Sequence, residues 1–314
     1  MSDISLDHLL RKAVEVTATL APSPRMRIAE RWARGLEETR KLRKSDFAVV
    51  SYGKSGRTWL NVMLSRYFQL RFGLPEYSLF SFNNLHVQNR DIPVVHFTHD
   101  NYIRDYMRSN GRKPAFYRKP TLLLARHPAD VAVSLYFQWR YRMPAHKKAL
   151  NLYPPHGAEI STYEFVMHNS GLRDVVRFLN EWAHELPQIE NKLLVRYEDL
   201  RTDARGEIGR VLRWMHQDPT DAEIAGAVEF ASFENLKKLE ERKAFSSNTK
   251  RLAPGQAGNP DSFKVRRAKV GGYRDYFDDD QVRQIEGYIR ANLDPLFGYE
   301  VAPPAAATKL EAIG

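Results

Sequence analysis

Residues 47–60, FAVVSYGKSGRTWL, join a short apolar run to a glycine-rich loop and the beginning of a helical pattern. The run FAVVSY (47–52) is apolar at both alternate positions, which is typical of a strand buried on both faces in a parallel sheet. GKSG (53–56) follows, and helical spacing continues from Thr58 to Leu70. This order places the loop at the positive end of a helix, a setting that binds phosphate oxygens.

The loop residues have chemistry that suits a phosphate. Gly56 allows the backbone to approach a ligand closely. Lys54 supplies a positive charge, and Ser55 and Thr58 supply hydroxyl donors. The loop is not a Walker A loop, because that pattern has four spacer residues and then lysine after its second glycine. A glycine turn capped by serine would have the same local sequence, so the loop alone does not decide the function.

Three further buried-strand patterns occur at 93–98, 121–126 and 192–197. The second is followed by a helical run at 131–140, and the third by one at 211–215. Strands that alternate with helices indicate βαβ units. The sequence therefore predicts an α/β fold of three layers, with a central, mainly parallel sheet flanked by helices.

Two later helices have signals of their own. Thr220 and Glu223 form a capping box for a helix through Phe230. A last helix is predicted over 278–292, with three aspartates at its positive end. Between these helices, 246–262 is rich in Pro, Gly, Ser and Asn and predicts an irregular loop.

The two ends of the chain are expected to lie outside the main domain, 46–300. Residues 1–45 predict helices that pack on or extend the core, and 301–314 predict a disordered tail. The second N-terminal helix is strongly basic. We interpret its charge as a solvated face, with contact to a membrane surface or a polyanion as the alternative.

Composition restricts the function classes. The chain has 314 residues, 43% of them apolar, a net charge of +10 and no cysteine, which excludes disulfides, thiolate catalysis and zinc–sulfur sites. No apolar stretch is long enough for a membrane span and the N-terminus does not resemble a signal peptide, so we expect a cytoplasmic protein. The basic residues are spread along the sequence and accompany no zinc-finger or RNP motif, so we expect a small polyanion as ligand and no nucleic acid.

Five segments resemble those of the cytosolic-type sulfotransferases that use 3′-phosphoadenosine 5′-phosphosulfate (PAPS). SYGKSGRTWL (51–60) resembles the phosphosulfate loop YPKSGTTWL, and RHPADVAVS (126–134) resembles the 3′-phosphate motif RNPKDVAVS. YEDL (197–200) and SFE (232–234) match in full, and RRAKVGGY (266–273) is similar to RKGxxGDW. All five occur in the order that the family has.

The resemblance implies a P-loop-containing fold and PAPS as co-substrate, with 3′-phosphoadenosine 5′-phosphate (PAP) as product and no metal. Arg126 follows a predicted strand, so it should lie at the carboxyl edge of the sheet, where open α/β folds bind ligands. By resemblance, the 3′-phosphate would be held by Arg126, Ser134, Arg266 and Arg267; the adenine would contact Trp59, Tyr197 and Phe233; and the rest of the nucleotide site would be Lys54, Ser55, Gly56, Arg57, Thr58, Ser232 and Ala268.

The resemblance also implies a catalytic histidine. The family has a KTHLP-like segment at the end of a strand, and HFTHD (96–100) occupies its place here. His99 aligns with the family's histidine and would remove the acceptor's proton, a task that suits an imidazole at neutral pH. His96 is the competing choice. Lys54 would stabilise the charge that builds on the bridging oxygen during in-line displacement at sulfur.

Four departures from the family pattern affect these expectations. Phe97 stands where the family usually has lysine, and Arg57 replaces a threonine and could supply the missing charge. Gly53 replaces a proline. The family's dimerisation motif KxxxTVxxxE is absent after Phe277, so we expect a monomer or a dimer through another surface.

The acceptor is not specified by these motifs. Its contacts are expected in 76–90, 136–160 and 240–262, and it could be a hydroxyl or an amine of a small molecule, a lipid or a carbohydrate. Two other functions remain alternatives at this level: a P-loop kinase that uses ATP, and a catalytically inactive module that binds polyanions.

Overall fold

Four parallel strands form the centre of the molecule in the computed structural model, which describes residues 6–76, 78–245, 255–256 and 258–299. The strands lie in the order β2-β1-β3-β4, and each of the three pairings is parallel. The predicted parallel sheet is therefore confirmed. The strands are β1 (Phe47–Ser51), β2 (Val95–Thr98), β3 (Thr121–Ala125) and β4 (Lys192–Arg196).

Helices connect the strands and cover both faces of the sheet, as predicted. Their bounds are α1 (Leu6–Leu20), α2 (Pro24–Lys44), α3 (Arg57–Phe72), α4 (Asn84–Gln88), α5 (Asn101–Met107), α6 (Pro128–Tyr141), α7 (Ala145–Leu150), α8 (Thr162–Met167), α9 (Asp174–Glu185), α10 (Tyr197–Thr202), α11 (Ala204–Trp214), α12 (Asp221–Phe230), α13 (Phe233–Glu241) and α14 (Asp279–Asn292).

The central strands alternate their side chains between two cores. Val49 of β1 packs in the core under α3 and α11, whereas Val50 packs in the core under α2, α5 and α9. Both side chains have no exposed surface. Successive residues of a strand point to opposite faces, so a strand that is apolar at every position needs helices on both sides. This burial is what produces the three predicted layers.

The edge strand β4 departs from the predicted pattern. Only Val195 of this strand is buried, and Lys192 is exposed. β4 lies at one end of the strand order, but β2 lies at the other end and is mostly buried, so the edge position alone does not account for this exposure. Five predicted strand residues also lie outside the strands: Pro93 and Val94 precede β2, Tyr52 and Arg126 follow β1 and β3, and Tyr197 begins α10.

The later helix signals are confirmed. Thr220 and Glu223 make a reciprocal capping box at the beginning of α12. Asp278 caps α14, and its side chain accepts a hydrogen bond from the backbone N–H of Gln281. Part of the predicted irregular loop (246–254 and 257) and the predicted tail 301–314 lie outside the described residues.

The N-terminal helices form an antiparallel hairpin in which α2 packs on α5 and α1 packs on α2. Gly35 makes this approach possible, because a Cβ there would lie 2.3 Å from the backbone oxygen of Tyr102. Glu38, three residues later, accepts a 2.6 Å hydrogen bond from the hydroxyl of Thr98 on β2. Burial raises the pKa of the Glu38 carboxyl.

The basic face of α2 is not fully solvated, which corrects the first interpretation. Arg34 is buried and pairs with Glu30 of the same helix. Arg31 forms an ion pair with Asp105 of α5 at 2.5 Å. Arg31, Arg34 and Arg40 of α2 thus pair with carboxylates of neighbouring helices, so part of the basic face serves to hold helices together. None of the helices in the described ranges is both long and apolar enough to cross a membrane.

Candidate active site

A cavity of about 350 Å³ opens at the edge of the sheet where the parallel strands end. The backbone register explains its place, because Ser51 of β1 pairs with Leu124 of β3 and Val50 pairs with Thr98 of β2. The loops after all three strands therefore leave at the same level. The predicted site residues that line the cavity are Lys54, Gly56, Arg57, Thr58, Trp59, His99, Arg126, Ser134, Tyr197, Phe233, Arg266, Arg267 and Ala268.

Two predicted residues do not line the cavity. Ser55 is 2% exposed and lies beneath the loop. Ser232 caps α13, and its hydroxyl accepts a 3.4 Å hydrogen bond from the backbone N–H of Asn235. Ser232 thereby fixes the beginning of the helix whose first residue, Phe233, does line the cavity.

The charge of the lining is almost entirely positive. Asp130 is its single carboxylate among the described residues. Such a concentration of cations in one cleft creates a strong attraction for a polyanion. The eight cationic side chains are Lys54, Arg57, Arg126, Arg201, Lys264, Arg266, Arg267 and Lys269.

The phosphate loop, residues 53–59, has a backbone that depends on Gly56. Its φ of 93° lies in the left-handed region, and a Cβ at this position would lie 2.5 Å from the Cδ2 atom of Tyr197. Conformation and space therefore both favour glycine. Gly56 is also the N-cap of α3 and brings no side-chain cap, so the first N–H groups of this helix face the loop.

Lys54 lies buried in this loop among other cationic side chains. Burial, together with the positive charges of Arg142 and Arg126, lowers the pKa of its ammonium group to about 7. The carboxylate of Glu240 acts in the opposite direction but offsets these effects only in part. The loop is thus ready to take up an anion, which would restore the usual protonation of Lys54.

His99 lies at the mouth of the loop with its tautomer fixed. Its Nδ1 lies 2.7 Å from the backbone oxygen of Ser51, which can only accept, so Nδ1 carries the proton. Its Nε2 lies 2.8 Å from Nη2 of Arg57, which can only donate. The lone pair of His99 therefore points at the guanidinium group of Arg57.

His96, the competing histidine, is in a different environment. It is 5% exposed and does not line the cavity. Burial, with the charges of Lys41 and Arg57, lowers the pKa of its imidazole to about 3. The geometry thus favours His99. Phe97, between them on β2, packs against the core beneath α3 and brings no charge to the site.

Aromatic rings form the wall opposite the histidine. The ring centroids of Trp59 and Tyr197 are 5.7 Å apart, and the indole N–H of Trp59 donates a 2.8 Å hydrogen bond to the backbone oxygen of Ala231. The guanidinium of Arg126 lies over the ring of Tyr197 at 4.2 Å, and that of Arg201 lies over Trp59 at 5.5 Å. Flat rings beside cations suit an aromatic base that carries phosphates.

The C-terminal loop, residues 264–276, closes the cavity from the other side. Arg126 donates to the backbone oxygens of Lys54 and Lys269, at 3.2 and 3.3 Å, and so ties this loop to the phosphate loop. Arg266 lies over the ring of Phe137 at 3.6 Å, and Arg267 donates a 2.6 Å hydrogen bond to Asp275. All three arginines line one cavity, although Arg267 is paired with an acid.

Two carboxylates that the sequence analysis did not single out hold the C-terminal loop. The oxygens of Glu240 accept from the backbone N–H groups of Lys264 and Val265, at 2.6 and 2.9 Å, and pair with Arg142. Glu240 has no exposed surface.

Asp130 does the same at the other end of the loop. Its oxygens accept from the backbone N–H groups of Gly271 and Tyr273, at 2.8 and 2.9 Å, and it lies 3.7 Å from Arg126. The one signal in the sequence was an acid inside an otherwise basic motif, 126–134.

Ala268 in the same loop has a φ of 49°, in the left-handed region. This conformation costs about 1 kcal/mol for a residue with a Cβ. The family motif RKGxxGDW has glycine at the corresponding position, so the substitution carries a local strain.

Comparison with known proteins identifies the family. The model of the Sulfotransferase domain matches residues 44–297. A flavonol 4′-sulfotransferase of Flaveria chlorifolia is 24% identical over 275 residues (82% of each chain). An amine sulfotransferase of Oryctolagus cuniculus is 23% identical over 257 residues, 78% of this chain and 80% of the relative.

Solved structures agree on the fold. A mouse sulfotransferase complexed with PAP superposes with a TM-score of 0.52 at 19% identity, over 82% of this chain and 89% of the other. A retinol dehydratase in complex with androsterone and PAP gives a TM-score of 0.50 at 18% identity, over 86% and 87% of the two chains. Because the family model covers most of its length, this chain belongs to the sulfotransferase family, and the enzyme class that its sequence predicted, a PAPS-dependent sulfotransferase, is confirmed.

Proposed function

We propose that the cavity holds PAPS and that His99 is the base for transfer of its sulfuryl group to a hydroxyl or amine acceptor. The observation that carries this proposal is the meeting of two features in one cleft. The lone pair of His99 Nε2 lies at the mouth of a phosphate loop, 2.8 Å from a guanidinium group. A base and a cationic anion site are the two groups that displacement at sulfur requires.

Two features of the cavity support a nucleotide as its ligand. Gly56 has no side chain and leaves room beside Tyr197, and the cationic surroundings that lower the pKa of Lys54 would be offset by a phosphate. The relatives solved with PAP support the same class of ligand. We assign the 5′ side to Lys54, Arg57, Thr58 and the loop N–H groups, the adenine to Trp59, Tyr197 and Phe233, and the 3′-phosphate to Arg126, Ser134, Arg266, Arg267 and the backbone at Ala268.

In the proposed reaction, Nε2 of His99 takes the proton of the acceptor while the acceptor oxygen or nitrogen forms a bond to sulfur. The bond between sulfur and the bridging oxygen of the 5′-phosphate breaks, and PAP leaves with the electron pair. Lys54 and the N–H groups at the beginning of α3 stabilise the charge on the departing oxygen. No other group needs to change its protonation.

Arg57 has a second part in this scheme. Its guanidinium donates a hydrogen bond to the lone pair of His99. The Arg57 side chain must therefore turn away before the histidine can accept a proton. The sulfuryl oxygens offer it a new partner nearby. Arg57 would thus supply the positive charge that Phe97 cannot, because Phe97 is packed in the core.

We propose a small molecule as the acceptor. The relatives are named for flavonols and amines, and the retinol dehydratase was solved with androsterone, which supports acceptors of this size. A lipid or carbohydrate acceptor, a cytoplasmic location, a partner list without nucleic acid, and a monomer or a dimer through a new surface stay predictions from the sequence.

Calorimetric titration with PAP in the absence of magnesium tests the nucleotide site. We expect tight binding that Arg126→Ala weakens strongly, and much weaker binding of ATP and AMP. Arg118→Ala is the matched control, because the Arg118 side chain is 92% exposed and does not line the cavity. Equal affinity for ATP and PAP would refute the site and favour a kinase.

Transfer from radiolabelled PAPS to a panel of phenols, alcohols and amines tests the chemistry. Turnover that disappears in His99→Ala, with PAP affinity retained, supports the proposed base. Binding of PAP without turnover on any acceptor would instead identify an inactive binding module.

A further inference from the structure

Helix α1 turns its apolar side chains toward the solvent. Leu6 and Leu20, at its two ends, are 78% and 81% exposed. Leu9, Leu10 and Val16 are also exposed, at intervals that place all five side chains on one face of the helix. An apolar stripe on a surface helix normally faces the protein core, so the orientation of α1 is reversed.

Ion pairs hold α1 in this reversed orientation. Arg11 pairs with Glu37 of α2 at 2.5 Å, and Asp7 pairs with Arg40. Glu15 lies 3.1 Å from Arg34 and completes the row. The polar face of α1 is therefore its packing face, and the apolar face is available to a partner.

The outward charge of the hairpin has a single sign. Residues 6–44 contain ten basic and five acidic side chains, a net charge of +5 out of +10 for the whole chain. None of the five acids is exposed within this range, because each is turned toward a neighbouring element. The exposed charged residues are Lys12, Arg25, Arg40, Arg43 and Lys44.

We propose that this hairpin docks on an anionic membrane surface, with the apolar face of α1 in the interfacial layer and the basic side chains at the lipid headgroups. An apolar stripe combined with exposed basic side chains on the same hairpin resembles the pattern of helices that lie in the membrane interface. Anionic lipids complement the outward charge. A second copy of the chain would bring the same positive charge and would be repelled. The inference does not depend on the proposed chemistry of the active site.

Co-sedimentation of the full chain with lipid vesicles tests the proposal. We expect binding to vesicles of phosphatidylcholine mixed with phosphatidylserine, little binding to phosphatidylcholine alone, and weaker binding as salt is raised. Absence of binding to both kinds of vesicle would overturn the proposal. Equal, salt-insensitive binding to both would overturn the electrostatic half of it and so the proposal as stated.

Two variants locate the contact. The double variant Leu9→Gln/Leu20→Gln should raise the lipid concentration for half-maximal binding at least about tenfold, because interfacial affinity scales with the apolar area inserted. Val87→Gln/Leu296→Gln removes similar apolar side chains that are exposed elsewhere and should change nothing. Equal loss in both double variants would refute a specific role for α1.

The triple variant Arg25→Gln/Arg43→Gln/Lys44→Gln tests the contribution of the basic charge. It should raise the concentration of anionic lipid for half-maximal binding by a similar factor, about tenfold. An unchanged thermal midpoint and unchanged PAP affinity verify that each variant folds. A different outcome would be a concentration-dependent dimer in light scattering that Leu9→Gln/Leu20→Gln abolishes, without vesicle binding. That result would assign the face to a protein interface and overturn the membrane proposal.

Discussion

The two loops that enclose the active-site cavity are positioned by different kinds of contact. The phosphate loop (53–59) follows β1 directly, and its place is set by strand register and by the beginning of α3. The C-terminal loop (264–276) has no strand at either end among the described residues. It is held by carboxylates at its ends, Glu240 and Asp130, each of which binds two backbone N–H groups.

The difference separates what each loop contributes. A loop fixed by backbone pairing in the core keeps its geometry when one side chain is changed, so a variant there should lose only what the changed side chain itself contributes. A loop fixed by side-chain carboxylates loses order when one of them is changed, so variants there should affect nucleotide affinity and stability. Each of the following predictions tests this division.

The largest effect is expected for His99→Ala. Loss of a general base lowers the rate of the chemical step by about a hundredfold to ten-thousandfold. The expected signature is a fall in kcat of this size with PAP affinity unchanged by calorimetry. His184→Ala is the control, because the side chain of His184 is 85% exposed and lies outside the cavity lining. A kcat within threefold of the parent protein would exclude His99 as the base.

Arg57→Thr should have the next largest effect, about a hundredfold on kcat, since one donor at a developing charge contributes roughly that much. Arg57→Lys keeps the positive charge and should recover most of the rate. If the two variants were equally slow, the shape of the guanidinium rather than its charge would matter. If both were fully active, the proposed compensation for Phe97 would be wrong.

Glu240→Gln should disorder the C-terminal loop and raise the Kd of PAP about tenfold to a hundredfold, because hydrogen bonds to a charged acceptor contribute about 1.5–3 kcal/mol each. The thermal midpoint should fall as well, since Arg142 loses its partner. Glu241→Gln, one position later and exposed, should leave both quantities unchanged. An unaltered Kd for Glu240→Gln would show that the loop does not need this carboxylate.

The affinity for PAP should fall by up to about tenfold between about pH 7 and pH 8, because Lys54 loses its proton there with a pKa of about 7 in the free protein. The bound phosphate favours the charged amine, so binding above pH 7 must take up a proton, whereas near pH 6 Lys54 already carries it. Calorimetry in buffers of different ionisation enthalpy measures this uptake. Lys54→Met should abolish it, and persistence in that variant would assign the proton to another group.

The smallest effect is expected for Ala268→Gly, which should raise the free energy of unfolding by about 0.5–1 kcal/mol by removing the strain of a positive φ. Ala222→Gly, on the exposed side of α12, should lower it by about 1 kcal/mol, since glycine is a poor helix former. Denaturant unfolding measures both. The same sign in both variants would contradict the assigned conformation of Ala268.

The difference between the loop anchored by strands and the loop anchored by carboxylates also explains how far the sequence could predict the structure. Apolar runs at 47–52 and 121–126 indicate buried parallel strands, and parallel strands dictate that Lys54, His99 and Arg126 share one edge. The partial exposure of β4 was not predictable, because how far the helices cover each strand depends on the packing of the folded chain. Its apolar run resembles that of a central strand.

The contacts of Glu240 and Asp130 with the C-terminal loop could not be predicted from the sequence, for a related reason. Asp130 contacts Gly271 and Tyr273 across more than 140 positions, and a glutamate such as Glu240 looks the same in sequence whether it is solvated or fully buried. Only the folded chain brings such partners together. The role of Ser232 as a helix cap was likewise hidden by its place in a motif that suggested ligand contact.

The contact between α2 and the core at Gly35 determines how far the chain can be shortened from its N-terminus. A shortened chain that starts at residue 46, the predicted domain boundary, would remove the glutamate that receives the hydroxyl of Thr98, one position before His99. It would also uncover the surface of α5 at Tyr102 and Tyr106 against which Gly35 fits, and remove Leu42 from the core. The N-terminal hairpin therefore supports the strand that ends just before His99. Its removal should give an enzyme with both a lower solubility and a lower turnover rate.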